Sequence, residues 1–180
     1  SGAGEKAFVS GADISQFDQV RDTVEANQRY ERIGEAGMAS LAECPKPTIA
    51  MLQGWCLGGG MAISLYCDLR IADESLRFGI PAARLGIGYR WPGIHRLVQT
   101  VGAPHAREIF LTGRRFEAAD ALRMGFVCRV VRRGELEPSV REECERLSAN
   151  APLTMASVKL AIEAAIEPDP QIDAARLEAA

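Results

Sequence analysis

The sequence predicts an α/β fold on three observations. Short apolar runs of strand length alternate with longer stretches of helical periodicity. Glycines and prolines punctuate the boundaries between them. With 180 residues and 47% hydrophobic content, the chain is long enough to bury one core.

Taken in order, residues 6–10 read as the end of a short strand, and Gly11-Ala12-Asp13 as the turn that follows. Residues 18–44 form a long helical stretch with Val20, Val24, Ile33, Gly37 and Leu41 near one face, and Pro45 and Pro47 stop it. Residues 48–53 are a strand. It leads into Gly54-Trp55-Cys56-Leu57-Gly58-Gly59-Gly60 and out into a helix through Met61 and Ala62. Residues 69–72 and 77–80 are strands. A helix over 92–101 carries His95, and Pro104 opens a second that Gly113 closes. Residues 117–124 form a short helix ended by Gly125, and 126–131 a strand. Residues 135–149 and 154–166 are amphipathic helices, the second with Val158, Ile162 and Ala165. A last helix occupies 171–180, with Ile172, Ala175 and Leu177.

The three consecutive glycines at a strand-to-helix turn are the most telling local feature. Glycine lets a backbone approach a ligand closely. The first N–H groups of a helix have no internal partner and favour negative charge. The turn therefore suits an anion, or an oxygen that becomes one during a reaction. A P-loop would need Lys and then Ser or Thr after the last glycine, where this chain has Met61 and Ala62. A dinucleotide fingerprint needs a different glycine spacing. A carbonyl oxygen that gains charge in a transition state remains, beside the plainer reading that the glycines only permit close packing.

Composition narrows the field. A net charge of −3 argues against non-specific nucleic-acid binding. No apolar run reaches the length of a membrane span. His95 and His105 have no useful metal spacing, so no metal site is expected. The five cysteines, an odd number without a C-x-x-C pair, suggest reduced, buried thiols and a cytoplasmic location.

With Gly11-Ala12-Asp13-Ile14 as a first signature and Gly54 to Gly60 followed by Cys67-Asp68-Leu69-Arg70-Ile71-Ala72 as a second, the chain resembles the enoyl-CoA hydratase/isomerase, or crotonase, superfamily. Phe78-Gly79-Ile80-Pro81, Leu85-Gly86-Ile87, Leu111-Thr112-Gly113 and 121–127 extend the resemblance over almost the whole chain. It implies a crotonase-like spiral of ββα units over 1–133 and a helical trimerisation region over 134–180. Both are expected to be incomplete, because the chain begins near the first signature and stops inside a helical pattern. It also implies a homotrimer or hexamer and an acyl-CoA thioester substrate, with coenzyme A part of the substrate and no separate cofactor.

The family's shared device is a pair of backbone N–H groups that bind the thioester oxygen and stabilise an enolate. The matching positions are Ala12 and Gly59. Lys6, Ser10, Asp13, Ile14, Leu57, Gly58 and Pro81 fall at substrate-binding positions by the same resemblance. The family's hydratases carry one Glu two residues after the triple glycine and another after the Phe-Gly-x-Pro turn; here these are Ala62 and Ala82. Alanine neither gives nor takes a proton.

The segment Gly88-Tyr89-Arg90 with Gly93-Ile94-His95 is similar to the methylmalonyl-CoA decarboxylase branch, in which a Tyr matches Tyr89. Decarboxylation generates its own enolate and needs less acid–base machinery, so it is favoured over hydration. Arg90 could clamp a substrate carboxylate. Each candidate has a structural alternative: Tyr89 as a pocket wall, Arg90 as a salt-bridging arginine, His95 as a surface residue, Asp68 as a structural acceptor, Asp13 as a brace for its turn and Lys6 as a solvated lysine. A catalytically silent protein that binds acyl-CoA or a partner is the competing function.

Overall fold

The computed structural model describes residues 1–11 and 23–166. Its strands are β1 (Ala7–Val9), β2 (Ile49–Leu52), β3 (Trp55–Leu57), β4 (Leu69–Asp73), β5 (Arg77–Gly79), β6 (Phe116–Glu117) and β7 (Arg129–Val131). Its helices are α1 (Val24–Ala42), α2 (Gly59–Leu65), α3 (Ala82–Leu85), α4 (Trp91–Thr112), α5 (Ala118–Arg123), α6 (Leu136–Ser148) and α7 (Pro152–Ile166).

The strands form two sheets, and the chain steps back and forth between them. One sheet has the order β1-β3-β5-β6, the other β2-β4-β7. All pairs are parallel except β5 with β6. The step from β2 to β3 turns on Gly54, at φ 59°; a Cβ there would lie 2.1 Å from the Lys6 carbonyl oxygen. The step from β4 to β5 turns on buried Asp73, which accepts from the Ser75 backbone N–H and hydroxyl. The Ser75 oxygen in turn accepts from Gly54 N at 3.0 Å, which ties the two corners together.

The core lies between these sheets and the helices. Phe78 stacks on Phe126 at 4.8 Å and tilts against Phe116 at 5.4 Å. Leu52, Met61, Leu97 and Ile109 belong to the same packed cluster. The short α2 is wedged inside, with Gly60, Met61, Ala62, Ser64 and Leu65 buried. Arg70 enters this core to donate to the carbonyls of Phe126, Ser64 and Cys67. Helix α4 bends at Gly102 (φ 74°), just before Pro104, and ends at Gly113 in the left-handed region.

The α/β class holds, and most element boundaries agree within one or two residues. Five expectations change. Residues 55–57 are a strand, not part of a long turn. The strand expected over 126–131 shortens to Arg129–Val131, because the Phe126 and Val127 amides bond to the Ala121 carbonyl and close α5. The apolar face of α1 is not buried: Val24 and Ile33 are exposed. The α7 stripe through Val158 and Ile162 is also exposed, while its inward contacts are polar. Lys159 reaches Asp68 at 2.9 Å, and Glu163 pairs with Arg96. The thiols differ as well, since Cys56 is buried but Cys128 and Cys144 are exposed. The expected helix over 171–180 and the start of the one expected over 18–44 lie outside the described residues.

Candidate active site

Strands β1, β3 and β5 run parallel, so their carboxyl ends open on the same edge. Crevices at such edges are the usual ligand sites of parallel sheets. Three segments meet there: Ser10 and Gly11 after β1, the Gly58 turn after β3, and Ile80-Pro81-Ala82 after β5. Gly58, at φ 51° and ψ −109°, caps α2 and donates its N–H to the Gly79 carbonyl at 3.0 Å. The first intrahelical bond of α2 runs from Ala62 N to Gly58 O, so the Gly59 amide belongs to the open first turn.

Packing holds β1 against this turn. A Cβ on Gly60 would lie 2.1 Å from the Val9 carbonyl oxygen. A Cβ on Gly11 (φ 120°) would lie 3.9 Å from the Leu57 carbonyl oxygen. The chain leaving β1 therefore starts beside the α2 N-terminus. Ala12, Asp13 and Ile14, next along that chain, lie outside the described residues. Lys6 and Ser10 are exposed at the two ends of β1, and the Lys6 carbonyl accepts from Trp55 N.

Two clefts adjoin the strand ends, and α3 stands between them. Ala82 and Ala83 face an apolar cleft of about 410 Å³ that Tyr89, Ile94, Val98 and Phe110 also line. Arg84 and Leu85 face a second, of about 350 Å³, with Leu57 and Pro81. Tyr89 meets Phe110 edge-on at 4.9 Å, and a Cβ on Gly93 would sit 2.8 Å from the Tyr89 ring. Ala62 and Ala82 are 6% and 9% exposed, so both are closely packed.

Burial pushes the Tyr89 phenol up to about 12, and the Cys56 thiol likewise to about 12. Tyr89 is therefore protonated at neutral pH and can donate a hydrogen bond. Both pKa values are raised on folding. Their contribution to stability is full below about 9, the ordinary thiol value, and is lost as pH rises toward 12. Ultraviolet titration of the phenols checks this: one step near pH 12 should disappear in Tyr89→Phe. A normal midpoint for that tyrosine would contradict its burial.

The structure separates several alternatives. Arg90 pairs with Glu35 at 2.6 Å and Glu31 at 3.4 Å, both on α1. This is the salt-bridging arrangement, and two carboxylates already occupy the guanidinium proposed as a clamp. Asp68 is a structural acceptor, bonded to the Thr48 amide and hydroxyl and to Lys159. His95 lies beside Trp91 and Gln99 on the helix surface.

Sequence reasoning missed Phe110 and Val98 beside Tyr89, and Arg84 in the second cleft. The i, i+4 spacing of Glu31 and Glu35 was the readable signal for a cation partner. Among the described residues, no group of three or more His, Cys, Asp or Glu is placed to hold a metal ion, and no helix is long and apolar enough to cross a membrane.

The family model for enoyl-CoA hydratase/isomerase matches residues 1–180. A short-chain-enoyl-CoA hydratase from Clostridium acetobutylicum is 38% identical over 169 residues, covering 94% of this chain and 64% of that protein. A carnitinyl-CoA dehydratase from Proteus mirabilis is 35% identical, covering 88% of this chain and 60% of its own. Among solved structures, an enoyl-CoA hydratase/carnithine racemase from Magnetospirillum magneticum superposes with a TM-score of 0.90 at 32% identity, over 99% of this chain and 66% of that one. The chain belongs to the enoyl-CoA hydratase/isomerase family, and it spans a little under two thirds of the length of the first of these relatives.

Proposed function

We propose that the whole protein acts on an acyl-CoA thioester and stabilises its enolate between two backbone amides, those of Gly59 and Ala12. The observation that carries this reading is the seating of the β1 end against the first turn of α2, where Gly60 admits the Val9 carbonyl. Family membership and the names of the hydratase and dehydratase relatives support the substrate class.

Decarboxylation is the reaction this site favours. The α-carbon–carboxylate bond breaks, carbon dioxide leaves, and the bonding pair becomes the enolate held by the two amides. A proton then returns to the α-carbon. No carboxylate stands at position 62 or 82 to activate water, whereas the protonated Tyr89 borders the cleft that Ala82 lines. The expected result is carbon dioxide release from malonyl- or methylmalonyl-CoA with little hydration of crotonyl-CoA. Fast crotonyl-CoA hydration without carbon dioxide release would contradict it.

The two alanines also favour a second reading, a protein that binds acyl-CoA without turning it over. Acyl-CoA binding by calorimetry, with no product from a panel of thioesters, would select it. Assembly into trimers or hexamers is part of the proposal. Leu153 and Leu160, 84% and 70% exposed on α7, give it an apolar surface; sedimentation equilibrium showing only monomer would count against it.

A further inference from the structure

The end of α2 away from Gly59 is where helix α7 is tied to the body. Helix α2 finishes at the Tyr66 cap. Lys159 of α7 pairs at 2.9 Å with Asp68, two residues beyond that cap. Glu163, about one turn further along α7, engages Arg96 of α4 twice: Nη1 donates to Oε1 at 3.2 Å, and Nη2 donates to Oε2. The same guanidinium lies 4.4 Å over the Tyr66 ring. Two anchors of a helix distant in sequence therefore converge on the short segment that leaves α2.

The grip is well built. The Arg96 and Glu163 side chains are 19% and 25% exposed, so the pair is largely shielded from solvent. Bidentate pairing fixes the guanidinium plane, and a shielded cation over an aromatic face holds the ring from one side. Arg70 holds the same end from within, donating to the carbonyls of Ser64 and Cys67. Helix α2 buries Gly60, Met61, Ala62, Ser64 and Leu65. At about 1.5 Å per residue it is only about 10 Å long. A helix this short and this closely packed moves as one piece, so a shift at Tyr66 is carried to Gly59.

We infer that Arg96 is a positioning residue: clamped by Glu163, it holds the Tyr66 end of α2 and thereby sets where the Gly59 amide points. The inference rests on the enolate reading, which gives that amide its task. It also gives α7 a part in the site, although α7 lines neither cleft. Displacement of a catalytic donor by about 1 Å is enough to slow a reaction by up to about 10²-fold.

Kinetics and hydrogen exchange on the full-length protein test this. Arg96→Met keeps much of the stem and removes the cation. Per folded molecule, kcat is expected to fall about tenfold or more, with KM changed less than about twofold. Amide exchange across α2 is expected to rise while that of β5 stays as in the wild type. Arg96→Lys keeps a cation over the ring and one bond to Glu163, and should recover most of the turnover. The swapped pair Arg96→Glu, Glu163→Arg restores the docking of α7 without a cation at position 96, and its kcat is expected to stay low. If Arg96→Met does not fold, Glu163→Gln loosens the clamp at nearly constant shape and gives the same two readouts, with a fall in kcat of about threefold. Full turnover in the swapped pair would make Arg96 a docking residue alone and overturn the inference. So would wild-type kcat, or wild-type exchange in α2, in the variant that removes or loosens the clamp. If the wild type turns over no thioester, the enolate reading fails by itself. The exchange of α2 then decides whether Arg96 holds that helix, and unchanged exchange overturns it.

Discussion

Replacing Gly60 with alanine is expected to lower kcat/KM for the proposed acyl-CoA reaction by about 10²–10³-fold, the usual loss for one oxyanion donor. The new methyl group would start 2.1 Å from the Val9 carbonyl oxygen. That atom is backbone in a paired strand, so it cannot swing away as a side chain would. β1 and the first turn of α2 must separate, which takes the Gly59 amide away from the chain leaving β1 and disrupts the proposed oxyanion site. Thioester binding depends on a larger surface and should fall far less than turnover. Steady-state kinetics with a calorimetric affinity check this split. Undiminished turnover would mean that the close approach is not part of the catalytic geometry.

The second large effect concerns stability. Asp68→Ala is expected to destabilise the fold by about 3 kcal/mol, because it strands a largely buried ammonium and two donors at once. The Asp68 carboxylate accepts from Thr48 N at 2.6 Å, Thr48 Oγ1 at 2.7 Å and Lys159 Nζ at 2.9 Å. The Lys159 side chain is only 10% exposed. Helix α7 has no fully buried residue, so this pair and Arg96 with Glu163 dock it. Denaturant melts should show the loss, and hydrogen exchange should rise first in α7. The paired change Asp68→Ala, Lys159→Met should recover part of the stability, since no charge is then left buried. Equal melts for wild type and Asp68→Ala would contradict this account.

These two effects also mark what was legible in the sequence. The strand-to-helix passage at Gly58 to Gly60 was readable because glycine has a local physical meaning there. So were the helix ends at Gly113 and Gly125, where the backbone turns left-handed. Strand β3 was not, because three residues between glycines carry no periodicity to read. Its identity comes from pairing with β1 and β5, which are distant in sequence. The inward face of α7 was misread for a related reason. Apolar spacing pointed to Val158 and Ile162, but the partners waiting on the body were Asp68 and Arg96, and they selected Lys159 and Glu163.

Site residues divide in the same way. The glycine run singled out Gly58 and Gly59 as candidates, and the family resemblance singled out Tyr89. The wall formed by Val98 and Phe110 could not be singled out, because it depends on how α4 bends at Gly102. Arg90 shows how tertiary context redirects a residue: its charge was visible, but the acidic pair that engages it lies 55 to 59 positions upstream.

The most direct measurement is a crystal structure of the full-length protein with a non-hydrolysable acyl-CoA analogue. The account predicts the thioester oxygen, or its surrogate, about 3 Å from the backbone nitrogens of both Gly59 and Ala12. An oxygen bound elsewhere, or amides at these two positions that diverge around it, would contradict the proposal.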